Sequence, residues 1–283
     1  MRSILVLLVT VLLLGQPLQG VSHASGRSEI LYVAAPDDSG RELRVRLVLP
    51  EGDGPFPLAL INHGSPRTAE ERQAYNDPQY RELERWFLDR GYAVALPLRR
   101  GYGDAGGEWS ETFVSCDNPD YVKAGLESAK DIEAALAALY ERDDISSAAT
   151  IAVGQSAGGW AVLALASLNV EGVRGYINFS GGRGGHIDDR AELNCNSDAL
   201  VEAAGRYGET SREPTLWLYS ENDTFFPPSL AERMQEAFTN AGGAAEFMML
   251  PPVGHDGHML ASEGEDAWSP ILDAFLEGKG LDE

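Results

Sequence analysis

The hydrophobic pattern divides this chain into short strands that alternate with longer helices. Residues 41–49 alternate between apolar and polar, which predicts a strand with one buried face. Residues 58–61 are apolar throughout, which is typical of a strand buried on both faces of a parallel sheet. Eight strands are predicted, at 29–34, 41–49, 58–61, 92–98, 150–153, 173–179, 215–219 and 245–250. The first two are expected to pair as an antiparallel hairpin, because only a turn-rich connection separates them.

Helices are predicted between these strands, because apolar residues recur there every three to four positions. The longest is expected to open at Pro119 with Asn118 as its cap, and the last to open at Ser269 and Pro270. The predicted helices span 78–90, 119–139, 157–165, 198–207, 230–241 and 269–275. No repeat or linker interrupts the alternation. The sequence therefore predicts one α/β domain, with an eight-stranded, mostly parallel sheet and helices on both faces.

The N-terminus carries the features of an export signal. Arg2 precedes an apolar run at 4–14, and the small-x-small triplet 22–24 follows. This pattern predicts a secretory signal peptide that is cleaved after Ala24, which leaves 25–283 as the mature chain. A membrane anchor is the alternative, but a spanning helix needs about 20 apolar residues and this run is shorter. We therefore expect a secreted or periplasmic protein without stable membrane association.

Composition and charge restrict the possible partners. The chain has 283 residues, of which 43% are hydrophobic and 23% are charged, as in an ordinary folded protein. Its formal net charge is −22 at pH 7. Such a surface repels the phosphate backbone of nucleic acids and the headgroups of anionic membranes. The expected partner is therefore a small molecule, and the composition leaves the oligomeric state open.

The chain has two cysteines, Cys116 and Cys195. An oxidising compartment allows two such cysteines to pair, so the predicted export favours a disulfide between them. Two unpaired, buried thiols are the alternative. The bridge would join the loop after the fourth strand to the polar segment 187–212, which follows the sixth strand. Neither cysteine has the neighbours of a cysteine nucleophile.

A candidate nucleophile lies between the fifth strand and the helix that follows it. Residues 154–158 read Gly-Gln-Ser-Ala-Gly, a Gly-x-Ser-x-Gly motif. Between a strand and a helix, this motif puts the serine on a sharp turn and directs the next backbone N–H at a developing oxyanion. A purely structural turn is the alternative, because glycine and serine are common residues. The flanking strand and helix favour Ser156 as the nucleophile and Ala157 as an oxyanion donor.

Three other strands end in residue types that an acyl-transfer site needs. The third strand leads into Asn-His-Gly-Ser-Pro at 62–66, and the seventh into Ser-Glu-Asn-Asp at 220–223. The eighth leads into Gly-His-Asp-Gly-His at 254–258. The serine follows the fifth strand, the acid the seventh and the histidines the eighth. Serine, then acid, then histidine is the chain order of the α/β-hydrolase fold.

These motifs resemble those of dienelactone-hydrolase-type α/β-hydrolases, and the resemblance covers nearly all of 29–281. The residues that carry it are Asn62-His63-Gly64-Ser65, Arg99-Arg100-Gly101-Tyr102-Gly103, Gly154-Gln155-Ser156-Ala157-Gly158-Gly159, Asp223 and Gly254-His255-Asp256-Gly257-His258. The resemblance implies a cofactor-free hydrolase of esters or related acyl compounds. It also implies that an insertion around 187–212 forms a lid or pocket wall.

The resemblance also suggests roles for individual residues after the third strand. In this family the loop there supplies a second oxyanion donor, which would be the N–H of Ser65, because Pro66 has no N–H. A simple strand-terminating turn is the alternative. Arg99 and Arg100 either meet a substrate carboxylate or pair with acids nearby.

The acid and the base follow from position and from the same resemblance. Asp223 follows the seventh strand, where its carboxylate would hold the histidine in the reactive tautomer, and Glu221 is the alternative acid. His258 is favoured as the base, because the family ending resembles Asp-Gly-His followed by apolar residues. His255 matches a bare Gly-His ending and stays open as the alternative. A metal site at His255, Asp256 and His258 is disfavoured, because no distant further ligand is evident.

The sequence thus predicts an esterase or lactonase that works through an acyl-serine, with a Ser156–His258–Asp223 triad and no cofactor or metal. A serine peptidase of the prolyl-oligopeptidase kind is one alternative, although such enzymes usually carry a β-propeller for which this chain has no room. A non-catalytic binding protein on the same fold is another. It is disfavoured because a competent residue occupies every triad and oxyanion position.

Overall fold

Eight strands form one sheet in the computed structural model, which describes residues 26–37 and 39–281. The predicted signal peptide at 1–24 lies outside the described residues. The strands are β1 Arg27–Ala34, β2 Glu42–Leu49, β3 Phe56–Asn62, β4 Ala93–Leu98, β5 Ile145–Gln155, β6 Val173–Phe179, β7 Thr215–Ser220 and β8 Ala245–Leu250. Each corresponds to a strand predicted from the hydrophobic pattern.

The strand order places β3 and β5 side by side at the centre of the sheet. The order is β1-β2-β4-β3-β5-β6-β7-β8. β1 and β2 form the predicted antiparallel hairpin, β2 is antiparallel to β4, and the strands from β4 to β8 are parallel. Asn62 at the end of β3 pairs with Gly154 near the end of β5. The loop after β3 therefore lies next to the Gly-x-Ser-x-Gly turn.

Eight helices accompany the sheet within the described ranges. They are α1 Ala69–Ala74, α2 Arg81–Leu88, α3 Tyr121–Tyr140, α4 Ala157–Leu168, α5 Ser197–Gly208, α6 Pro228–Asn240, α7 Leu260–Glu263 and α8 Glu265–Lys279. Over this part of the chain, no helix has both the length and the apolar character needed to cross a bilayer.

Helices cover both faces of the sheet, which explains the continuous apolar run in β3. Leu58 and Leu60 pack into a cluster with side chains of α3, α4, α5 and α6. Ala59 and Ile61 point to the opposite face and pack with side chains of α2, α7 and α8. Successive strand residues face opposite sides, so a strand covered on both sides has no polar position.

The helix α3 begins later than the sequence pattern predicts. The predicted cap was Asn118, but Asp120 is the N-cap, and its carboxylate accepts a hydrogen bond from the Lys123 N–H. The N–H of Asp120 donates to the Phe113 carbonyl at 3.0 Å, so residues 114–119 form a closed loop before the helix. A competing cap two residues later thus decides where the helix starts.

The helix α8 begins earlier than predicted, and Pro270 lies inside it rather than at its start. A proline inside a helix removes one backbone hydrogen bond. Trp268, one turn into the helix, is fully buried and packs edge-to-face with Trp86 and Phe179. This tertiary packing offsets the lost hydrogen bond, so the prediction of a helix opening at Ser269 was wrong.

Candidate active site

Ser156 alone forms the turn between β5 and α4. Its backbone has φ 54° and ψ −118°, a region that costs a non-glycine residue about 1–3 kcal/mol. Three hydrogen bonds hold it there: its N–H donates to the Phe179 carbonyl at 3.0 Å, and its carbonyl accepts from the N–H groups of Trp160 and Gly182 at 2.9 and 3.2 Å. Neighbouring strands and the helix therefore fix a strained serine at the C-terminal edge of the sheet.

The two glycines of the motif allow the strand and the helix to approach each other. A Cβ on Gly154 would collide with the carbonyl of Gly158, and a Cβ on Gly158 would collide with the carbonyl of Asn62. Only glycine fits at such close backbone contacts. The motif spacing therefore has a steric cause in the packing of α4 on β5 and β3.

Asp223 and His258 form a buried pair, and the His258 carbonyl accepts a hydrogen bond at 3.0 Å from the side chain of Gln155, one residue before Ser156. The His258 Nδ1 lies 3.2 Å from Oδ1 and 3.3 Å from Oδ2 of Asp223. The Asp223 carboxylate also accepts hydrogen bonds from the N–H groups of Phe225 and Phe226, at 2.8 and 3.0 Å. An Nδ1–H that donates to this fixed carboxylate leaves Nε2 as the acceptor of the imidazole.

The alternative acid and base lie outside this pair. His255 and Glu221 are both exposed, and the Glu221 N–H donates to the Leu250 carbonyl at 2.9 Å, which continues the sheet. The geometry therefore favours Asp223 over Glu221 and His258 over His255. Within the described ranges, no three His, Cys, Asp or Glu side chains converge as a metal site requires.

Asp256 and Asn222 hold the loops after β7 and β8 together. Asp256 accepts from the His258 N–H at 3.0 Å and from the N–H and hydroxyl of Thr224 at 3.1 and 2.6 Å. Burial would raise the pKa of Asp256, but the hydrogen bonds from Thr224 and His258 lower it overall. Asn222 forms a matching pair of side-chain hydrogen bonds with the backbone of Val253. The sequence pattern predicted neither role.

Ser156, Ala157 and Ser65 line one cavity of about 510 Å³. Most of the other lining residues belong to an apolar group or a charged group. The apolar group is Pro66, Trp109, Phe113, Phe225 and Phe226, and the charged group is Arg67, Glu71, Arg72, Arg183 and Asp189. Three glycines, at 182, 184 and 185, let the backbone after β6 form part of the wall. The cavity lining thus combines apolar and aromatic side chains with a few charged ones, as small-molecule sites usually do.

A family model decides which family this chain belongs to. The model for the dienelactone hydrolase family matches residues 73–275, well over half of the chain. The chain belongs to the dienelactone hydrolase family. The resemblance inferred from the sequence motifs is thereby confirmed, and the protein is a hydrolase of the α/β type.

Solved structures of similar fold include both esterases and peptidases. The esterase Pf2001 of Pyrococcus furiosus matches with a TM-score of 0.63 and 14% identity, over 90% of this chain and 93% of that chain. The acylaminoacyl peptidase of Pyrococcus horikoshii matches with a TM-score of 0.65 and 14% identity, over 90% of this chain but only 42% of that chain. A puromycin-hydrolyzing peptidase of Mycobacterium tuberculosis gives 0.62 and 19%, over 94% and 41%. These likenesses confirm the predicted α/β-hydrolase fold.

Comparison with curated protein sequences finds no match to this hydrolase. At the identities above, the solved structures show the fold alone. The chain also spans less than half of the length of the two peptidases. The substrate and the roles of individual residues must therefore be argued from the site itself.

In this hydrolase a disulfide joins two segments that lie near the cavity wall. Cys116 lies in the loop that carries Trp109 and Phe113, and it is bonded to Cys195 with the two Cα atoms 5.0 Å apart. The Cys195 N–H donates to the Gly184 carbonyl at 2.7 Å. The later part of the predicted insertion, helix α5, packs instead into the core cluster with α3 and α6. Only the first part of 187–212 lies near the cavity.

The disulfide is expected to be present in protein purified from an oxidising compartment. Peptide mapping by mass spectrometry without reduction should show Cys116 joined to Cys195. Reduction should lower the free energy of unfolding by about 2–4 kcal/mol, because the unfolded chain then regains the entropy of an open loop. Two free thiols in the purified protein would contradict both the bridge and its proposed link between the cavity walls.

Arg99 and Arg100 do not line the cavity. Arg100 pairs with Asp131 at 2.6 Å, and also with Asp37 and Glu127 at 3.1 and 3.3 Å. Arg99 is 0% exposed and pairs with Glu111, 12 residues away. Of the two alternatives for these arginines, the structure supports pairing with internal acids.

Glu111 lies between two buried guanidinium groups. Besides Arg99, it pairs with Arg183 at 2.6 Å, and Arg183 lines the cavity. Burial would raise the pKa of Glu111, but the charges of Arg99 and Arg183 outweigh it and hold the pKa well below its usual range. Glu111 is therefore ionised and supports one polar side of the cavity. Neither Glu111 nor Arg183 was predicted from the sequence.

We expect Glu111→Gln to destabilise the protein by about 3–5 kcal/mol, because the change leaves two buried arginines without a counter-charge. The measurement is chemical unfolding with the disulfide intact. Glu108→Gln is the matched control, because Glu108 is exposed in the same loop. A loss below about 1 kcal/mol for Glu111→Gln, the value typical of exposed pairs, would show that the cluster does not stabilise the fold.

His63 has a structural rather than a catalytic environment. It is fully buried, its Nδ1 lies 2.7 Å from the Gly64 carbonyl, and its Nε2 accepts from the Arg99 N–H at 3.3 Å. Burial, with a smaller effect from the Arg99 charge, lowers the pKa of His63 to about 3. The imidazole is therefore neutral at ordinary pH, and it shapes the loop that carries Ser65.

Proposed function

We propose that this protein is a serine hydrolase that cleaves carboxylic esters or lactones through an acyl-serine intermediate. The observation that carries the proposal is the position of Ser156, on a strained turn that lines the cavity. The side chain of the residue before it, Gln155, bonds to the main chain of His258, which pairs with Asp223. In this proposal Ser156 is the nucleophile, His258 the base and Asp223 the acid. The N–H groups of Ser65 and Ala157 form the oxyanion hole.

The first half of the reaction is the transfer of the acyl group to Ser156. Nε2 of His258 accepts the hydroxyl proton as the serine Oγ attacks the acyl carbon, and Asp223 stabilises the imidazolium that forms. Negative charge develops on the carbonyl oxygen, where the two backbone N–H groups stabilise it. The tetrahedral intermediate then collapses, and His258 gives its proton to the leaving alkoxide.

The second half of the reaction releases the acid. Water loses a proton to His258 as it attacks the acyl-serine, and a second tetrahedral intermediate forms in the same oxyanion hole. The Ser156 oxygen leaves and recovers the proton from His258. With a lactone, the leaving alkoxide stays attached to the acyl chain, so the product is a single hydroxy acid.

The cavity supports a small ester with an apolar group. Trp109, Phe113 and Phe225 form one side, and an aliphatic or aromatic group buried there loses contact with water. Among the charged lining residues, the guanidinium of Arg72 lies 4.0 Å above the ring of Trp109, and Arg67 pairs with Asp189. In this proposal the early part of 187–212 acts as a pocket wall.

The proposal also places the mature protein, residues 25–283, in a secreted or periplasmic location. The Cys116–Cys195 bridge supports this location, because structural disulfides persist mainly in oxidising compartments.

The test is a panel of p-nitrophenyl esters, lactones and aminoacyl amides assayed with the purified mature protein, together with a fluorophosphonate probe. We expect ester or lactone turnover, and labelling of Ser156 in folded but not in heat-denatured protein. Turnover of the amides without the esters would favour the peptidase alternative. Absence of both turnover and labelling would favour a binding protein on the same fold.

A further inference from the structure

The side chains of Tyr80 and Gln155 connect the oxyanion loop to the catalytic base. The Tyr80 hydroxyl accepts a hydrogen bond from the Gly64 N–H at 2.9 Å and donates to Oε1 of Gln155 at 3.3 Å. Nε2 of Gln155 donates to the backbone carbonyl of His258 at 3.0 Å. A continuous chain of three hydrogen bonds therefore runs from the residue before Ser65 to the main chain of His258.

Donor and acceptor chemistry fixes the direction of this chain. The His258 carbonyl can only accept, so it must face the NH₂ group of the Gln155 amide. The amide oxygen then faces the Tyr80 hydroxyl, which donates its proton to it. Burial raises the pKa of the Tyr80 phenol, so this hydroxyl keeps its proton at neutral pH.

Packing holds the same groups against one another. A Cβ on Gly64 would collide with Oε1 of Gln155, so the amide lies directly on the backbone of the oxyanion loop. Tyr80 is 6% exposed and packs in the core cluster with α2, α7 and α8. Gln155 immediately precedes Ser156. The amide thus touches all three segments that supply the proposed oxyanion hole, nucleophile and base.

We propose that Tyr80 and Gln155 are positioning residues, which hold the Ser65 N–H and the His258 imidazole in register with Ser156. This inference rests on the proposed function. The oxyanion loop and the base loop come from opposite ends of the chain, and each must be placed to a fraction of an ångström for transition-state stabilisation. The hydrogen bonds through Gln155, next to Ser156, set the distance from Ser156 to the Ser65 N–H and the distance from Ser156 to the His258 imidazole together.

The test uses two variants that keep side-chain volume and remove the link. Tyr80→Phe deletes the hydroxyl, and Gln155→Met keeps the chain length without donor or acceptor. We expect each to lower the rate of Ser156 acylation by about 10- to 100-fold, because a misplacement of 1 Å can cost a factor of 10². The substrate dissociation constant from the same single-turnover acylation kinetics should change by less than threefold, because neither side chain lines the cavity.

Tyr140→Phe is the control for loss of a tyrosine hydroxyl that donates a hydrogen bond, and Tyr140 is partly buried. The Tyr140 hydroxyl donates to Thr150 Oγ1 at 2.8 Å, away from the site. We expect this variant to lose thermal stability comparable to that of Tyr80→Phe but to keep the wild-type acylation rate. An equal rate loss in the control would overturn the inference, because the effect would then come from general destabilisation.

The double variant tests whether the two residues act as one link. If they do, Tyr80→Phe combined with Gln155→Met should be slowed about as much as the slower single variant, because residues in one hydrogen-bond network are not additive. Losses that multiply would overturn the inference of a single link.

The failure of this inference is distinguishable from the failure of the proposed function. If Ser156 is labelled by the fluorophosphonate and esters are hydrolysed, but Tyr80→Phe acylates within twofold of wild type, only the positioning role is wrong. If Ser156 is neither labelled nor required, the proposed function is wrong, and with it the reason for the link.

Discussion

Ser156→Ala is expected to lower kcat for ester hydrolysis by a factor on the order of 10⁶, because loss of a triad serine removes the covalent route. The residual rate would come from the oxyanion hole and from substrate binding. The strained backbone of Ser156 already accommodates a small side chain, so the variant should fold. The measurement is steady-state hydrolysis of the best ester of the panel, with thermal melts of both proteins.

Ser167→Ala is the matched control for this prediction. Ser167 lies at the far end of α4, and its hydroxyl donates to the Ala164 carbonyl within the helix. It should therefore hydrolyse the ester at nearly the wild-type rate. A Ser156→Ala protein that keeps most of its activity would show that the nucleophile has been assigned to the wrong residue.

His258→Ala is expected to abolish acylation of Ser156, with a loss similar in size to that of the serine variant, because nucleophile and base act as a unit. His258 is the histidine whose Nδ1 meets Asp223. His255→Ala should change the rate little, because His255 is exposed. The measurement is single-turnover acylation of both variants, with folding checked by thermal melts.

The reverse result would change the proposed triad. If His255→Ala were inactive and His258→Ala active, the triad would be Ser156, Asp223 and His255. The eighth-strand loop would then have to adopt a different conformation, because the hydrogen bonds of Asp256 to His258 and Thr224 direct His258 toward Asp223. The two variants therefore test the loop geometry as well as the base.

The strands and the Gly-x-Ser-x-Gly turn could be predicted because their causes are local. The continuous apolar run of β3 follows from burial on both faces, and the glycines at 154 and 158 follow from the close approach of strand and helix. The ends of α3 and α8 could not be predicted. Asp120 rather than Asn118 caps α3, and the burial of Trp268 lets α8 begin at Glu265 and include Pro270.

Whether Arg99 and Arg100 bind a ligand or form internal ion pairs depends on partners that no local pattern identifies. Arg99 and Arg100 stand in a glycine-rich stretch that suits a ligand site as well as an internal ion pair. The carboxylates that meet them, Glu111 and Asp131, are 12 and 31 residues away. Once the fold brings these acids against the guanidinium groups, burial makes pairing the stable arrangement, since an unpaired buried charge is costly.

The sequence by itself determined the fold class, the position of the Gly-x-Ser-x-Gly turn and the short set of candidates for acid and base. The fold class follows from the alternation of apolar and polar residues, the turn from the need for glycine at close backbone contacts, and the candidates from the residues that follow each strand. All three are properties of neighbouring residues. Only the tertiary structure decided that His258 rather than His255 meets Asp223, and that Tyr80 and Gln155 connect Gly64 to His258. Those contacts join residues 16 to 103 positions apart. Their geometry depends on how β3, β5, β7 and β8 bring their loops to one edge of the sheet, which no local pattern encodes.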